Sequence, residues 1–501
     1  MIPIGETHDG RADMTNFEMD LFDTRMHSTM KTVKDEDVGP CCGGSSSRGK
    51  GVVKPACLPI TILSVLIITL VFLPLFNDQD LEAPDKAALP SVCREGCSLR
   101  LVESIPTGVS FPGSVPHDPT WQAWLEIING AQGYLDIAAL YWNLNEGGFP
   151  TSDKGRAVFE ALIAAGKRGV KIRIAQSISG DLSNNTDSAY LAEHGAQVRN
   201  VNMSALVGSG VLHTKFIIAD MRTVYVGSAN MDWKSLTEVK ELGVVASNCS
   251  CIAGDLYRIF AVYWRLGEEG AKIPAKWPIS YRTQFNLANP MPLPMDGDPD
   301  ASLFISSCPG PFNPKGREHD LAAIVGLIGE AKSSVSVAVM DFLPMTLYMK
   351  GDDGKTDNKF WPHLDNALRD AAFRGVSVRL LVSNWNHTRS ATIPFLKSML
   401  AINEGLPMRK GSRGSIDVRI FTVPSDEEQK KIPFARVNHN KYMVADNVAY
   451  IGTSNWAGDY FISTAGVGLA IKSTRMATQL QSVFDRDWNS SYSKGIERRR
   501  R

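Results

Sequence analysis

The chain has no excess charge of either sign. Its 53 lysines and arginines balance 53 aspartates and glutamates across 501 residues, so no overall positive field steers it toward nucleic acid. Any anionic partner must be held by a local cleft. A disordered or low-complexity composition is absent too: 44% of residues are hydrophobic and 21% charged, enough to bury one large core or two ordinary ones. Long uncharged apolar runs are confined to one stretch, and cysteines number only eight.

The polar residues 1–57, with Cys41-Cys42 before GGSSSRGKG, read as a mobile tail. The apolar run Leu58–Phe76 carries no charge and is long enough to span a bilayer of roughly 30 Å as one transmembrane helix. A cleaved signal peptide would begin nearer the N-terminus and have a shorter apolar core; a buried core helix is the other competing reading. Arg48, Lys50 and Lys54 precede the run and Asp78, Asp80 and Glu82 follow it, so the positive-inside rule predicts a type II signal-anchor with a cytosolic tail and a lumenal body. Cys41, Cys42 and Cys57 lie where palmitoylation occurs, and unmodified thiols fit equally. Sequons at Asn184, Asn202, Asn248, Asn386 and Asn489 all follow the run, as a lumenal location requires. Five cysteines, Cys93, Cys97, Cys249, Cys251 and Cys308, are then lumenal, where oxidation favours pairing. A zinc site built on the two close pairs is the alternative, against which their spacings speak.

Past the run the sequence repeats itself. Tyr134–Trp142 and Ser334–Phe342 read as apolar strands, each followed by an amphipathic helix that ends at a glycine, Gly169 or Gly375. Further strands are predicted at Gln197–Met203 and Ile416–Val423, making two α/β units, 77–288 and 300–501, joined by the proline-rich 289–299. Each unit then carries one copy of a motif: VLHTKFIIAD at Val211–Asp220 and VNHNKYMVAD at Val437–Asp446. Each copy leads into an asparagine-bearing turn, Gly227-Ser228-Ala229-Asn230 or Gly452-Thr453-Ser454-Asn455. On a strand, His213 and Lys215 share a face, as do His439 and Lys441, while Asp220 and Asp446 have the opposite parity and are expected to hold the strand end.

The doubled HxKxxxxD, each followed by G-[ST]-x-N, resembles the phospholipase D superfamily, and the longer strings HTKFIIADMRTVYVGSANMDWKSLTEVKELGVV and RVNHNKYMVADNVAYIGTSNW are similar to its single-pass lysosomal branch, the type 3 and type 4 members. The resemblance covers nearly all of 93–492. It implies two pseudo-symmetric α/β sandwich units sharing one active-site cleft and hydrolysis through a phosphohistidine with no cofactor or metal. His213, Lys215, Asp220, His439, Lys441 and Asp446 would form the catalytic set. It also implies a double disulfide between Cys93/Cys97 and Cys249/Cys251, leaving Cys308 odd. The implied activity is a lysosomal 5′-to-3′ exonuclease acting on ends of single-stranded DNA and RNA. Phospholipid hydrolysis or exchange, including bis(monoacylglycero)phosphate synthesis, is the alternative, and a silent glycoprotein scaffold a third. A homodimer and release of a soluble lysosomal form are further expectations.

The chemistry can be read from the residues. A phosphodiester needs its charge neutralised, an in-line nucleophile and a proton for the leaving oxygen. Two lysines with Asn230 and Asn455 can hold the oxygens, supported by Ser228 and Thr453, and two histidines can serve as nucleophile and acid. Glu241, in Lys240–Val244, has no acidic counterpart in Ser463–Val467. A carboxylate on the far nitrogen of His213 would raise its basicity, so His213 is expected to attack and His439 to be the general acid with its partner unassigned. Phe342 is a candidate for stacking a base or for the core, Trp233 and Trp456 for packing, Glu238 for a solvated surface, and Glu497–Arg501 for a frayed basic tail.

Overall fold

The computed structural model describes residues 96–178, 185–295, 297–349, 355–409 and 411–496. Within them the repeat becomes two mixed sheets with one shared strand order. In the first, Ser98–Ser104, Glu241–Ser247, Thr223–Gly227, Phe216–Ala219, Tyr134–Ala139, Lys171–Ser177 and Gln197–Val201 lie side by side. In the second the sequence is Ser302–Cys308, Gly466–Lys472, Val448–Gly452, Lys441–Ala445, Ser334–Val339, Ser377–Ser383 and Ser415–Phe421. Tyr134–Ala139 and Ser334–Val339 are central and buried at every position but the first, which is why they read as unbroken apolar runs rather than alternating ones. Each pairs in parallel with the next strand through a helical crossover, Asp153–Lys167 or His363–Arg374. The turns after these helices use Gly169 at φ +91° and Gly375 at φ +103°, the left-handed conformation that needs no Cβ.

The motif's strands start later than expected, at Phe216 and Lys441. The residues before them leave their own sheet and bond to the opposite half. Leu212 bridges Ala465 and Asn438 bridges Lys240, both in parallel, with His213 N–H donating to Ala465 O at 2.9 Å and His439 N–H to Lys240 O at 2.8 Å. Proline-rich 289–299 is likewise more than a tether, since Met291–Pro292 pairs antiparallel with Ser302 and Leu303 at the edge of the second sheet.

One hydrophobic core serves both halves. The helix Ser250–Leu266 buries Phe260, Tyr263 and Trp264 in a cluster that takes Phe216 and Val224 from the first sheet and Leu303, Leu469 and Tyr442 from the second. Each fully buried large apolar side chain contributes roughly 1.5–3 kcal/mol, against about 0–1 kcal/mol for an exposed ion pair, so this shared core dominates the union of the halves. Separate clusters built from Trp124 and Leu162 and from Ile324 and Leu368 back the individual sheets.

The expected architecture is corrected at its N-terminal end: among the described residues no helix is long and apolar enough to cross a membrane. The run 58–76, the tail 1–57 and the basic residues 497–501 lie outside the described residues, so the fold class stands as the paired α/β units alone. Cys97 and Cys249 form a disulfide, and Cys251 is also disulfide-bonded, which removes the thiolates a zinc site there would use. Cys93 lies outside the described residues. Cys308 is a buried free thiol that donates to Tyr460 O at 3.0 Å.

A shared core predicts one cooperative unit. Phe260→Ala should cost about 3–5 kcal/mol and lower a single denaturant transition, read both by tryptophan fluorescence and by circular dichroism. Two separated transitions would mean that the halves fold independently.

Candidate active site

The crossed main-chain pairing delivers both histidines to one place. His213 and His439 line a cavity of about 160 Å³ together with Tyr141, Asn230, Lys234 and Glu241. Lys215 and Lys441 stand behind them, 1% and 2% exposed. Lys441 Nζ donates to His439 O at 2.7 Å, and Lys215 Nζ makes the matching bond to His213 O.

The carboxylate expected on His213 is on His439 instead. Glu241, fully buried, accepts from His439 Nδ1 at 2.9 Å and from Ser235 Oγ at 2.9 Å. His213 Nδ1 donates to the carbonyl of Thr453 at 2.8 Å. The cause is the crossing: Lys240 lies between the two bonds that tie it to 437–439, donating to Val437 O at 2.9 Å and accepting from His439 N, so the next side chain meets the other half's histidine. Lys240 is itself anchored. Its buried ammonium lies 2.7 Å from Asp487, in a network where Arg486 bonds Glu103 at 2.6 Å and Asp487 at 2.9 Å. Sequence spacing measures distance within a half and carries no sign of which half a side chain reaches.

Other expected residues sort by what they touch. Asp220 and Asp446 lie away from the histidines, at φ +49° and +48°. Asp220 accepts from the main-chain N–H groups of Gln132, Gly133 and Tyr134 at 2.8 Å each, and Asp446 accepts from Lys332, Ser333 and Ser334 at 2.8–3.0 Å. They pin a hairpin end to the start of the central strand, the holding role expected of them. Ser228 Oγ accepts from Leu242 N–H and Thr453 Oγ1 from Val467 N–H, so both hydroxyls fasten the asparagine turns to the neighbouring strand. Asn230 and Asn455 are buried, each with an amide oxygen that has no protein partner among the described residues. Phe342 is 1% exposed inside the second unit's core against Trp456, which leaves no face for a base. Glu238 is buried rather than solvated, and pairs across the halves with Arg436 at 2.9 Å.

Several groups escaped the sequence reading. Tyr141 OH donates to Asp232 at 2.8 Å, and Lys234 pairs with the same carboxylate at 3.3 Å, all at the cavity wall. On the other side, Tyr460 stands edge-on to His213 at 5.1 Å and bonds Asn455, which also donates to Asp341. The doubling could have directed attention to Tyr460 and Ser235, because both follow their asparagine by five residues.

A family model described as PLD3/4, PLD-like domain matches residues 115–426. This chain belongs to that phospholipase D-like family. A Caenorhabditis elegans protein described as a probable phospholipase D is 55% identical over 509 residues, 99% of this chain and 89% of that one. The 5′-3′ exonuclease PLD3 of Homo sapiens is 42% identical over 487 residues, 94% of this chain and 96% of that one; its Macaca fascicularis counterpart is 43% identical over the same shares. Among solved structures, a Haemophilus influenzae phosphatidylserine synthase aligns with TM-score 0.50 at 14% identity over 75% of this chain and 85% of that one, a likeness of fold alone.

In this phospholipase D-like site, burial and like charge act together. Burial holds His213 well below the usual imidazole range, with Lys215 and Lys441 pressing further. His439 is lowered by burial too, but Glu241 opposes the shift. Burial brings Lys441 down to about 7, and Lys215 is also well below its ordinary value through burial and the charge of Lys441. An anion in the cleft favours the charged form of each.

Because bound anion raises a Lys441 pKa that starts at about 7, binding above that pH takes up a proton. Affinity for sulfate, whose own charge is constant there, should therefore rise as pH falls from about 9 to 7, by up to about tenfold per unit for one group. The Lys441 contribution then levels off at lower pH. Calorimetry on the protein and on Lys441→Met checks this: the variant should show a shallower slope above pH 7, since Lys215 remains, and a wild-type profile flat in that range would contradict the assignment.

Proposed function

We propose that this phosphodiesterase of the phospholipase D superfamily is a 5′-to-3′ exonuclease for single-stranded DNA and RNA, working by a two-step phosphohistidine mechanism. The observation that carries the mechanism is the unequal environment of the two histidines around one cavity. Thr453 O can only accept, so His213 keeps its proton on Nδ1 and presents an unprotonated Nε2. Glu241 favours the imidazolium of His439, which is then the proton carrier. His213 thus remains the nucleophile and His439 the general acid, on grounds opposite to the expected ones: the carboxylate serves the acid.

In the first step His213 Nε2 bonds to phosphorus, the phosphorus–oxygen bond to the leaving nucleoside oxygen breaks, and His439 gives that oxygen its proton. His439, now neutral, takes a proton from water as the water oxygen attacks phosphorus, and the phosphorus–nitrogen bond breaks. Lys215, Lys441, Asn230 and Asn455 supply donors for the phosphoryl oxygens, the role that bound cations play in many phosphoryl-transfer sites. Each stage asks for stabilisation placed before the reaction begins, which buried and hydrogen-bonded lysines provide.

The choice of polynucleotide is supported by the 5′-3′ exonuclease PLD3 relatives, which match 94% of the chain. The 55% identical probable phospholipase D keeps a second reading in view, in which a lipid alcohol replaces water in the second step. The Cys97–Cys249 disulfide and the exposed sequon residues Asn248, Asn386 and Asn489 support a lumenal, oxidising compartment of lysosomal type.

The test is product release from a 3′-labelled single-stranded oligonucleotide at pH 5 with excess chelator, beside His439→Ala. Progressive shortening from the 5′ end, unaffected by chelator and reduced by about 10² to 10⁴ in the variant, is expected. No cleavage, with transfer between a phospholipid and an added alcohol instead, would replace the exonuclease with the lipid reading. Cleavage that chelator stops would overturn the histidine mechanism.

A further inference from the structure

The cavity has a wall that the two-histidine chemistry does not use. Trp385 and Phe434 line it, both from the second half and on the side of Val437 and Met340. His387 joins them into a ledge: its ring stacks on Phe434 at 4.8 Å and 16° between planes, and meets Trp385 edge-on at 4.7 Å. Three features set this ledge apart from ordinary packing. Phe434 is 58% exposed while lining the cavity, so its ring is open to a ligand there. It is also held at φ +54°, a conformation bulky residues avoid and which persists only where surroundings enforce it. The enforcement is visible two residues on. Arg436, itself at φ +56°, is clamped by Glu238 at 2.9 Å, by Thr107 O at 3.0 Å and by Pro424 O at 2.9 Å, so the first half braces the loop that displays Phe434. The third feature is Trp385 Nε1, a buried donor with no protein partner among the described residues.

We infer that the Trp385–His387–Phe434 ledge is the subsite that grips an unstacked nucleobase beside the scissile phosphate. This rests on the nucleic-acid reading above and deepens it. Aromatic faces accept every base because every base has a π-face, so such a ledge tolerates sequence and demands a base freed from its neighbours and from pairing. It thereby selects single strands over duplex without a sequence-reading hydrogen bond. Trp385 Nε1 supplies one donor for an acceptor atom of the base or its sugar-phosphate. A lipid substrate brings no planar ring to stack, so the ledge also favours polynucleotide over phospholipid in the same cleft.

The test compares the full chain with Phe434→Ala and the ring-retaining Phe434→Tyr on three 3′-labelled single strands. One is a normal oligonucleotide; the other two carry an abasic residue on one or the other side of the first scissile phosphate. For the unaltered protein, one of the abasic strands should lose roughly ten- to a hundredfold in kcat/KM. Phe434→Ala should show a loss of that size on the normal strand and almost none beyond it on the sensitive abasic strand, and Phe434→Tyr should restore the difference. Equal losses on every strand in Phe434→Ala would mean that the residue only shapes the loop, and equal rates on all strands in the unaltered protein would mean that no base is held; either overturns the inference. Absence of cleavage on all three strands by the unaltered protein would instead overturn the exonuclease reading on which the inference stands.

Discussion

Everything at this site depends on main chain from one half bonding to main chain of the other at the motif itself. Residues 211–213 pair with 465, and 437–439 pair with 240. Those bonds take each histidine out of its own sheet and set it against the opposite unit. They also decide which histidine meets Glu241. Neither half contains a complete site: the first supplies the carboxylate that serves the second's histidine, and the second supplies the carbonyl that orients the first's.

Such a junction gathers four groups that prefer water when charged, Lys215, Lys441, His213 and His439, in a buried cleft. Left alone they would repel one another and the fold would lose stability by holding them. The shared core around Ser250–Leu266 makes the arrangement tolerable, because its apolar burial holds the halves together, while Glu103, Lys240, Arg486 and Asp487 pair their charges across the junction. Burial lowers Lys441 to about 7, so above that pH the empty cleft holds less positive charge than one occupied by an anion. Substrate completes an electrostatic arrangement that the free protein only partly forms.

Much of this was legible in the sequence. Repeated apolar strands, Gly169 and Gly375 at matching turns, and two copies of HxKxxxxD were enough to anticipate two α/β units, the resemblance to the phospholipase D superfamily implied that they share one cleft, and the strand order repeats as the doubling suggested. Parity anticipated that Asp220 and Asp446 would face away from the histidines. What stayed hidden was whatever crosses between halves. Spacing within the first half points Glu241 at His213, whereas it meets His439; Glu238 reads as a surface residue, whereas it braces Arg436; and the ledge of Trp385, His387 and Phe434 draws on residues nearly fifty positions apart whose proximity no local pattern encodes. The span expected over 58–76 lies outside the described residues, among which no helix is long and apolar enough to cross a membrane.

The division of labour between the histidines is the central claim, and it can be read from the intermediate itself. Single-turnover cleavage of an oligonucleotide, stopped rapidly with alkali so that phosphorus–nitrogen bonds survive, followed by peptide mass spectrometry, identifies the residue that carries the phosphoryl group. The phosphoryl group is expected on His213, in the peptide containing Leu212 and Thr214. A phosphoryl group on His439 would contradict the account, because the histidine paired with Glu241 would then be the nucleophile and His213 the proton carrier.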